Sequence, residues 1–219
     1  MQQTRRNGLE ATIAPEHDEH ATTTGLDHRK MLMWAFLGSD CMFFGSLIAT
    51  YLIYRGQSLR GPFPYEVFDI PYTSVSAFVL LMSSLTMVLA LGAIQRGDER
   101  RLRIWLIATA VLGSVFLGGQ VYEFTLFVSE GVTLKTNLFG TTFVVLTGFH
   151  GAHVTVGVFM LLTLVGASYA GKVKQHQSIN VELVGLYWHF VDIVWIVIFT
   201  VVYLVEAPAI EAAKAAVGH

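Results

Sequence analysis

The stretch GLYWHFVDIVWIVIFTVVYLVE, residues 185–206, decides the fold. At 1.5 Å per helical residue it is long enough to cross the roughly 30 Å of hydrocarbon in a bilayer. Yet it carries His189 and Asp192 near its start, and lipid tolerates such groups only at a cost. At positions i and i+3 their side chains share one helix face. That spacing suits a buried imidazole satisfied by a carboxylate, and equally a proton relay. It supplies no nucleophile or oxyanion donors, so it is not a hydrolytic triad.

Four more runs of similar length precede this one. The expected spans are about 31–54, 73–95, 103–124, 138–166 and 183–205. The 219 residues are 53% hydrophobic and only 14% charged, where a soluble domain carries about 25% charged residues. The fold class that follows is all-α, a polytopic transmembrane bundle of five helices. Residues 1–28 have no apolar core of the kind a signal peptide needs and read as a disordered polar tail. Residues 29–206 form the transmembrane domain, and 207–219 a short C-terminal tail.

Lys and Arg counts orient the chain. With the N-terminus inside, the inner segments hold Arg5, Arg6, Arg29, Lys30, Arg96, Arg100, Arg101, Arg103, Lys172 and Lys174, and the outer ones Arg55, Arg60, Lys135 and Lys214. Ten against four favours the N-terminus inside and the C-terminus outside. The connection 55–72 combines Pro62, Pro64 and Pro71 with aromatics and reads as a packed outer loop, while QRGDERR reads as a tight inner hairpin. A net charge of −2 without a basic stripe gives no reason to expect a nucleic-acid partner.

Cys41 is the only cysteine, which rules out an intrachain disulfide and a thiolate cluster. His17, His20 and His28 lack the spacing of a metal site. No catalytic, cofactor-binding or metal residue is therefore assigned.

The ionisable residues inside the spans carry the remaining information: Asp40, Glu123, His150, His153, Glu182, His189 and Asp192. Asp40 shares a face with Phe44, Leu47 and Tyr51, beside a stripe of Cys41, Gly45 and Ala49 suited to close helix contact. It is a candidate for an interhelical hydrogen bond, or for a lipid- or proton-related role. Glu123, in GQVYEFTLF, suits interfacial capping or recognition of a lipid head or partner. His150 and His153 lie one turn apart in TGFHGAHVTVG, with Gly148 and Ala152 offering a small-residue contact. Their readings are structural hydrogen bonding, a partner or lipid contact, or a metal or haem ligand. His189 and Asp192 are structural or subunit-interface candidates.

Taken in order, LGSDCMFFGSLIATY, GQVYEF, TGFHGAHVTVGVFML and YWHFVDIVWIVIFTVVYL resemble subunit III of the haem–copper respiratory oxidases, in its five-helix bacterial form. The resemblance spans nearly all of residues 31–205 and implies a multi-pass protein of the bacterial plasma membrane. It implies a noncatalytic subunit of a proton-pumping cytochrome c oxidase that binds phospholipid, stabilises subunit I and sustains its proton uptake during aerobic O₂ reduction. Subunit I is the implied main partner, with subunits II and IV beside it. Haem and copper are expected in those partners, with no redox centre in this chain. The family's acidic residue falls on Asp40, where Glu is usual, one methylene longer. Its Gln–x–x–Glu acid falls on Glu123, its paired histidines on His150 and His153, and its terminal motif on His189 and Asp192. The alternatives are the equivalent subunit of a quinol oxidase, a nitric-oxide-reductase-associated homologue, an independent transporter, and a haemoprotein using His150 or His153.

Overall fold

The computed structural model describes residues 27–54, 70–129, 138–174 and 178–205. Five α-helices account for nearly all of them: α1 (His28–Tyr54), α2 (Ile70–Gln95), α3 (Glu99–Ser129), α4 (Leu138–Tyr169) and α5 (Ser178–Phe199). A π-helical turn, Thr200–Leu204, continues α5. All five are long and apolar enough to cross a membrane. The helices outrun the expected spans: α3 begins at Glu99, not 103, and ends at Ser129, while α5 begins at Ser178, not 183. Hydropathy marks the part of a helix that lies in hydrocarbon, whereas hydrogen bonding continues through the polar interface. Likewise α1 starts at His28, inside the expected tail, because the Arg29 backbone N–H donates to Asp27 Oδ1 at 2.8 Å and caps the first turn. The proline-rich segment 55–69 and the tails 1–26 and 206–219 lie outside the described residues.

Helices α2, α3, α4 and α5 form a ring in which each packs on the next, and α1 lies outside it against α4 and α5. Polar contacts fix which ends share a side. At one end Lys30 of α1 pairs with Glu182 of α5, Nζ to Oε1 at 2.5 Å, and Arg103 Nε of α3 donates to Ser168 Oγ of α4 at 3.1 Å. At the other end Thr73, Glu123 and Tyr203 meet.

The connection between α2 and α3 is the tight hairpin its sequence promised. Gly97 takes φ 76°, and the N–H groups of Gly97 and Asp98 return to the carbonyls of Ile94 and Ala93. Asp98 Oδ1 then accepts from the Arg101 N–H at 3.0 Å and caps α3.

Trp188 of α5 fills the centre of the ring and is fully buried. Its Nε1–H donates to Ser83 Oγ of α2 at 2.9 Å, while its ring lies against Gly113 of α3 and Gly157 of α4. A Cβ on Gly113 would come within 2.5 Å of the indole, and one on Gly157 within 2.8 Å. One side chain thereby sets the spacing of three neighbouring helices.

The other small-residue stripes make no close contact among the described residues. Gly45 and Cys41 are exposed on α1, Gly148 is exposed on α4, and no atom lies within 4 Å of where a Cβ on Gly45 or Gly148 would sit. The opposite face of α1 does pack, through Phe44 and Tyr51.

Candidate functional site

Asp40 and His153 meet where α1 crosses α4. Asp40 Oδ2 lies 3.5 Å from His153 Nε2, and Phe44 covers the imidazole edge-on at 5.0 Å between ring centroids. His153 Nδ1 lies 2.7 Å from the Phe149 carbonyl, and because a carbonyl only accepts, Nδ1 carries the proton. Nε2 therefore faces the carboxyl either as a lone pair or as a second N–H. The Tyr187 hydroxyl donates to the His153 carbonyl at 3.0 Å, so α5 holds the same turn of α4.

Glu123 is buried within the bundle. Its Oε1 accepts from Thr73 Oγ1 of α2 at 2.8 Å and from the Tyr203 hydroxyl at 3.2 Å, and its Oε2 accepts from Gln120 Nε2 at 3.1 Å. The π-turn widens the last turn of α5 at the point where Tyr203 reaches across. This carboxyl ties α2, α3 and α5 together at one end of the ring.

His150 and His153, adjacent on one helix, part company. His150 is fully buried and stacks on Trp195 at 4.9 Å, with Phe116 edge-on at 6.1 Å. Neither of its ring nitrogens has a hydrogen-bond partner among the described residues. A ligand role shared with His153 is not built. Nor do His189 and Asp192 pair with each other. Ser84 of α2 stands between them: its Oγ lies 2.6 Å from His189 Nδ1, and it also interacts with the Asp192 carboxyl without a well-formed hydrogen bond. Asp192 is 3% exposed and faces the interior of the ring, whereas His189 is half-buried near its outer edge.

The hydroxyls that organise these groups, Thr73, Ser83, Ser84 and Tyr203, carry no signal of their own in the sequence. The cluster MSSLT in α2 was the available hint, three hydroxyls in one and a half turns of an otherwise apolar helix. Among the described residues no group of three or more His, Cys, Asp and Glu side chains could hold a metal. Two of the grooves on the bundle surface border these groups. One, of about 510 Å³ between α3 and α4, is lined by Gln120, Phe124, Thr147, Gly148 and Gly151. The other, of about 460 Å³ between α1 and α5, is lined by Lys30, Trp34, Glu182 and Leu186.

Residues 2–207 match the family described as cytochrome c oxidase subunit III. The chain is 36% identical over 196 residues to cytochrome c oxidase subunit 3 of Bacillus sp. (strain PS3), covering 90% of this chain and 95% of the relative. It is 39% identical over 172 residues to quinol oxidase subunit 3 of Bacillus subtilis (strain 168), covering 78% and 84%. It is 34% identical over 195 residues to cytochrome bo(3) ubiquinol oxidase subunit 3 of Pseudomonas aeruginosa, covering 89% and 92%.

Proposed function

The chain belongs to the family of cytochrome c oxidase subunit III, and from that premise we propose that it is the noncatalytic third subunit of a haem–copper respiratory oxidase in a bacterial plasma membrane. The observation that carries this reading is the extent of the match, over residues 2–207 and over most of each relative's own length. In this role the chain packs beside subunit I, holds phospholipid and helps to sustain proton uptake while its partners, with their haem and copper, reduce O₂. The grooves between α1 and α5 and between α3 and α4 are the surfaces offered to acyl chains. The N-terminal end, with Arg29, Lys30, Arg96, Arg100, Arg101 and Arg103, lies inside.

The relatives' names change the order of the two electron donors. Cytochrome c led on sequence motifs, but quinol oxidase subunits match at 39% identity against 36% for the cytochrome c oxidase subunit. Quinol oxidation by the assembled complex is therefore the better-supported reading. Affinity purification of the tagged chain from its own membranes tests both levels. Copurification with haem-bearing subunit I is expected, together with O₂ reduction driven by quinol in preference to reduced cytochrome c. Recovery of the chain alone, with substrate flux when it is placed in liposomes, overturns the proposal in favour of a transporter.

A further inference from the structure

At 1.5 Å per residue, His189 lies about 16 Å from Ser178 and about 22 Å from Leu204 along α5. Ser84, its hydrogen-bond partner, lies about 16 Å from Gln95 and about 21 Å from Ile70 along α2. Both helices thus place the pair at the same level, close to the middle of the bilayer. Gly185 of α5 faces Met87 of α2, and Phe190 faces Phe44 of α1. Between them α5 presents an open face whose exposed side chains include Ile193, Ile196 and Val197. His189, half-buried, sits at the α2 edge of that face, with Nδ1 bound to Ser84 and no partner for Nε2 among the described residues.

Exposed hydroxyls elsewhere on the bundle behave differently. Ser39, Ser46, Thr50, Thr163 and Thr200 each fold back onto a carbonyl of their own helix, three or four residues earlier. They need nothing from their surroundings, as suits a lipid-facing surface. His189 Nε2 has no such internal recourse, and an imidazole nitrogen left in hydrocarbon is costly. Acyl chains carry no hydrogen-bonding group at this depth, so lipid cannot satisfy it. A neighbouring transmembrane helix can, through a side chain or a freed carbonyl.

We propose that the face of α5 between α1 and α2, with His189 at its α2 edge as polar anchor, docks a transmembrane helix of another oxidase subunit that presents a hydrogen-bonding group at mid-bilayer depth. The proposal rests on the reading of the chain as an oxidase subunit and adds to it the docking face and its polar anchor. Ser84 holds the imidazole in register, and Ile193 and Val197 supply the apolar flanks.

The test uses the assembled complex in native membranes. A photoreactive benzoylphenylalanine replacing Ile193 should form a covalent adduct with another polypeptide of the copurified oxidase. The same group at Phe159, exposed on α4, serves as the comparison. Separately, His189→Leu should lower recovery of that polypeptide per copy of this chain by roughly three- to tenfold, the worth of one intramembrane hydrogen bond. His189→Gln should restore much of it. Helix content and monodispersity of the purified variants check that each still folds. Adducts from position 193 with lipid alone, or with a second copy of this chain, overturn the proposal while leaving the oxidase reading intact. Undiminished recovery with a folded His189→Leu also overturns it. Purification without any oxidase subunit overturns the oxidase reading and this proposal with it.

Discussion

The indole of Trp188 occupies the space that a side chain on Gly113 would need, with its Cζ2 and Cη2 atoms 2.9 and 2.5 Å from where a Cβ would sit. The clash is with a ring that is itself fully buried and fixed by its hydrogen bond to Ser83, so it cannot swing away.

Gly113→Ala is therefore expected to destabilise the bundle by about 1–3 kcal/mol, the usual cost of overpacking a filled core. Gly148→Ala, whose Cβ meets nothing within 4 Å, should change stability by less than about 0.5 kcal/mol. Thermal unfolding of both variants in one detergent makes the comparison. Equal midpoints for the two would show that Trp188 does not set the helix spacing.

Removal of the carboxyl at Glu123 takes an acceptor from three donors at once, on Thr73, Tyr203 and Gln120. Glu123→Ala should cost about 2–4 kcal/mol, since three buried hydrogen bonds to a carboxyl, each worth about 1 kcal/mol or more, are lost together. Glu123→Gln keeps one carbonyl acceptor and should fall between Ala and the parent. The order of unfolding midpoints, parent then Gln then Ala, is the measurement.

Asp192 carries the opposite prediction. The carboxyl is buried, and neither oxygen has a well-formed hydrogen bond among the described residues. Replacing a poorly paired buried polar group by an apolar one of similar size is often neutral or stabilising. Asp192→Leu should then unfold at or above the parent's temperature and still assemble. A marked loss of coassembly would restore the subunit-interface role that the sequence suggested for this residue.

Asp40 and His153 should behave as one unit. In a double-mutant cycle with Asp40→Asn and His153→Gln, the second substitution should cost less stability once the first is made, with a coupling of about 0.5–1.7 kcal/mol. In the assembled oxidase, Asp40→Asn should shorten the lifetime of turnover more than it lowers the initial rate of O₂ reduction. Strictly additive stabilities, or an unchanged lifetime, would remove the pair from any such role.

Five helices could be read from the sequence because length and apolar composition are local properties, and the run at 185–206 already spans a bilayer. The packed face of α1 could be read for the same reason, from Phe44 and Tyr51 at helical spacing. The surroundings of Glu123 could not: Thr73 lies 50 residues before it and Tyr203 lies 80 after it. With only Gln120 and Tyr122 in view, neither distant partner can be named from the sequence. Small-residue stripes show that a helix can be approached closely but not by what: among the described residues nothing comes near Gly45 or Gly148, whereas Gly113 and Gly157 admit Trp188. His189 and Asp192 share a helix face, yet a serine on another helix decides which way each is used.

The position of α1 outside the ring also bears on how the protein is made. It leaves the ribosome first, but the helices it packs against, α4 and α5, are among the last to appear. His153 follows Asp40 by 113 residues, a delay on the order of ten seconds at ordinary rates of synthesis. Throughout that interval the first helix has a lone carboxyl near its middle and no dock. The nascent chain must shelter Asp40 at the insertion machinery or with water until the fourth helix arrives to receive it.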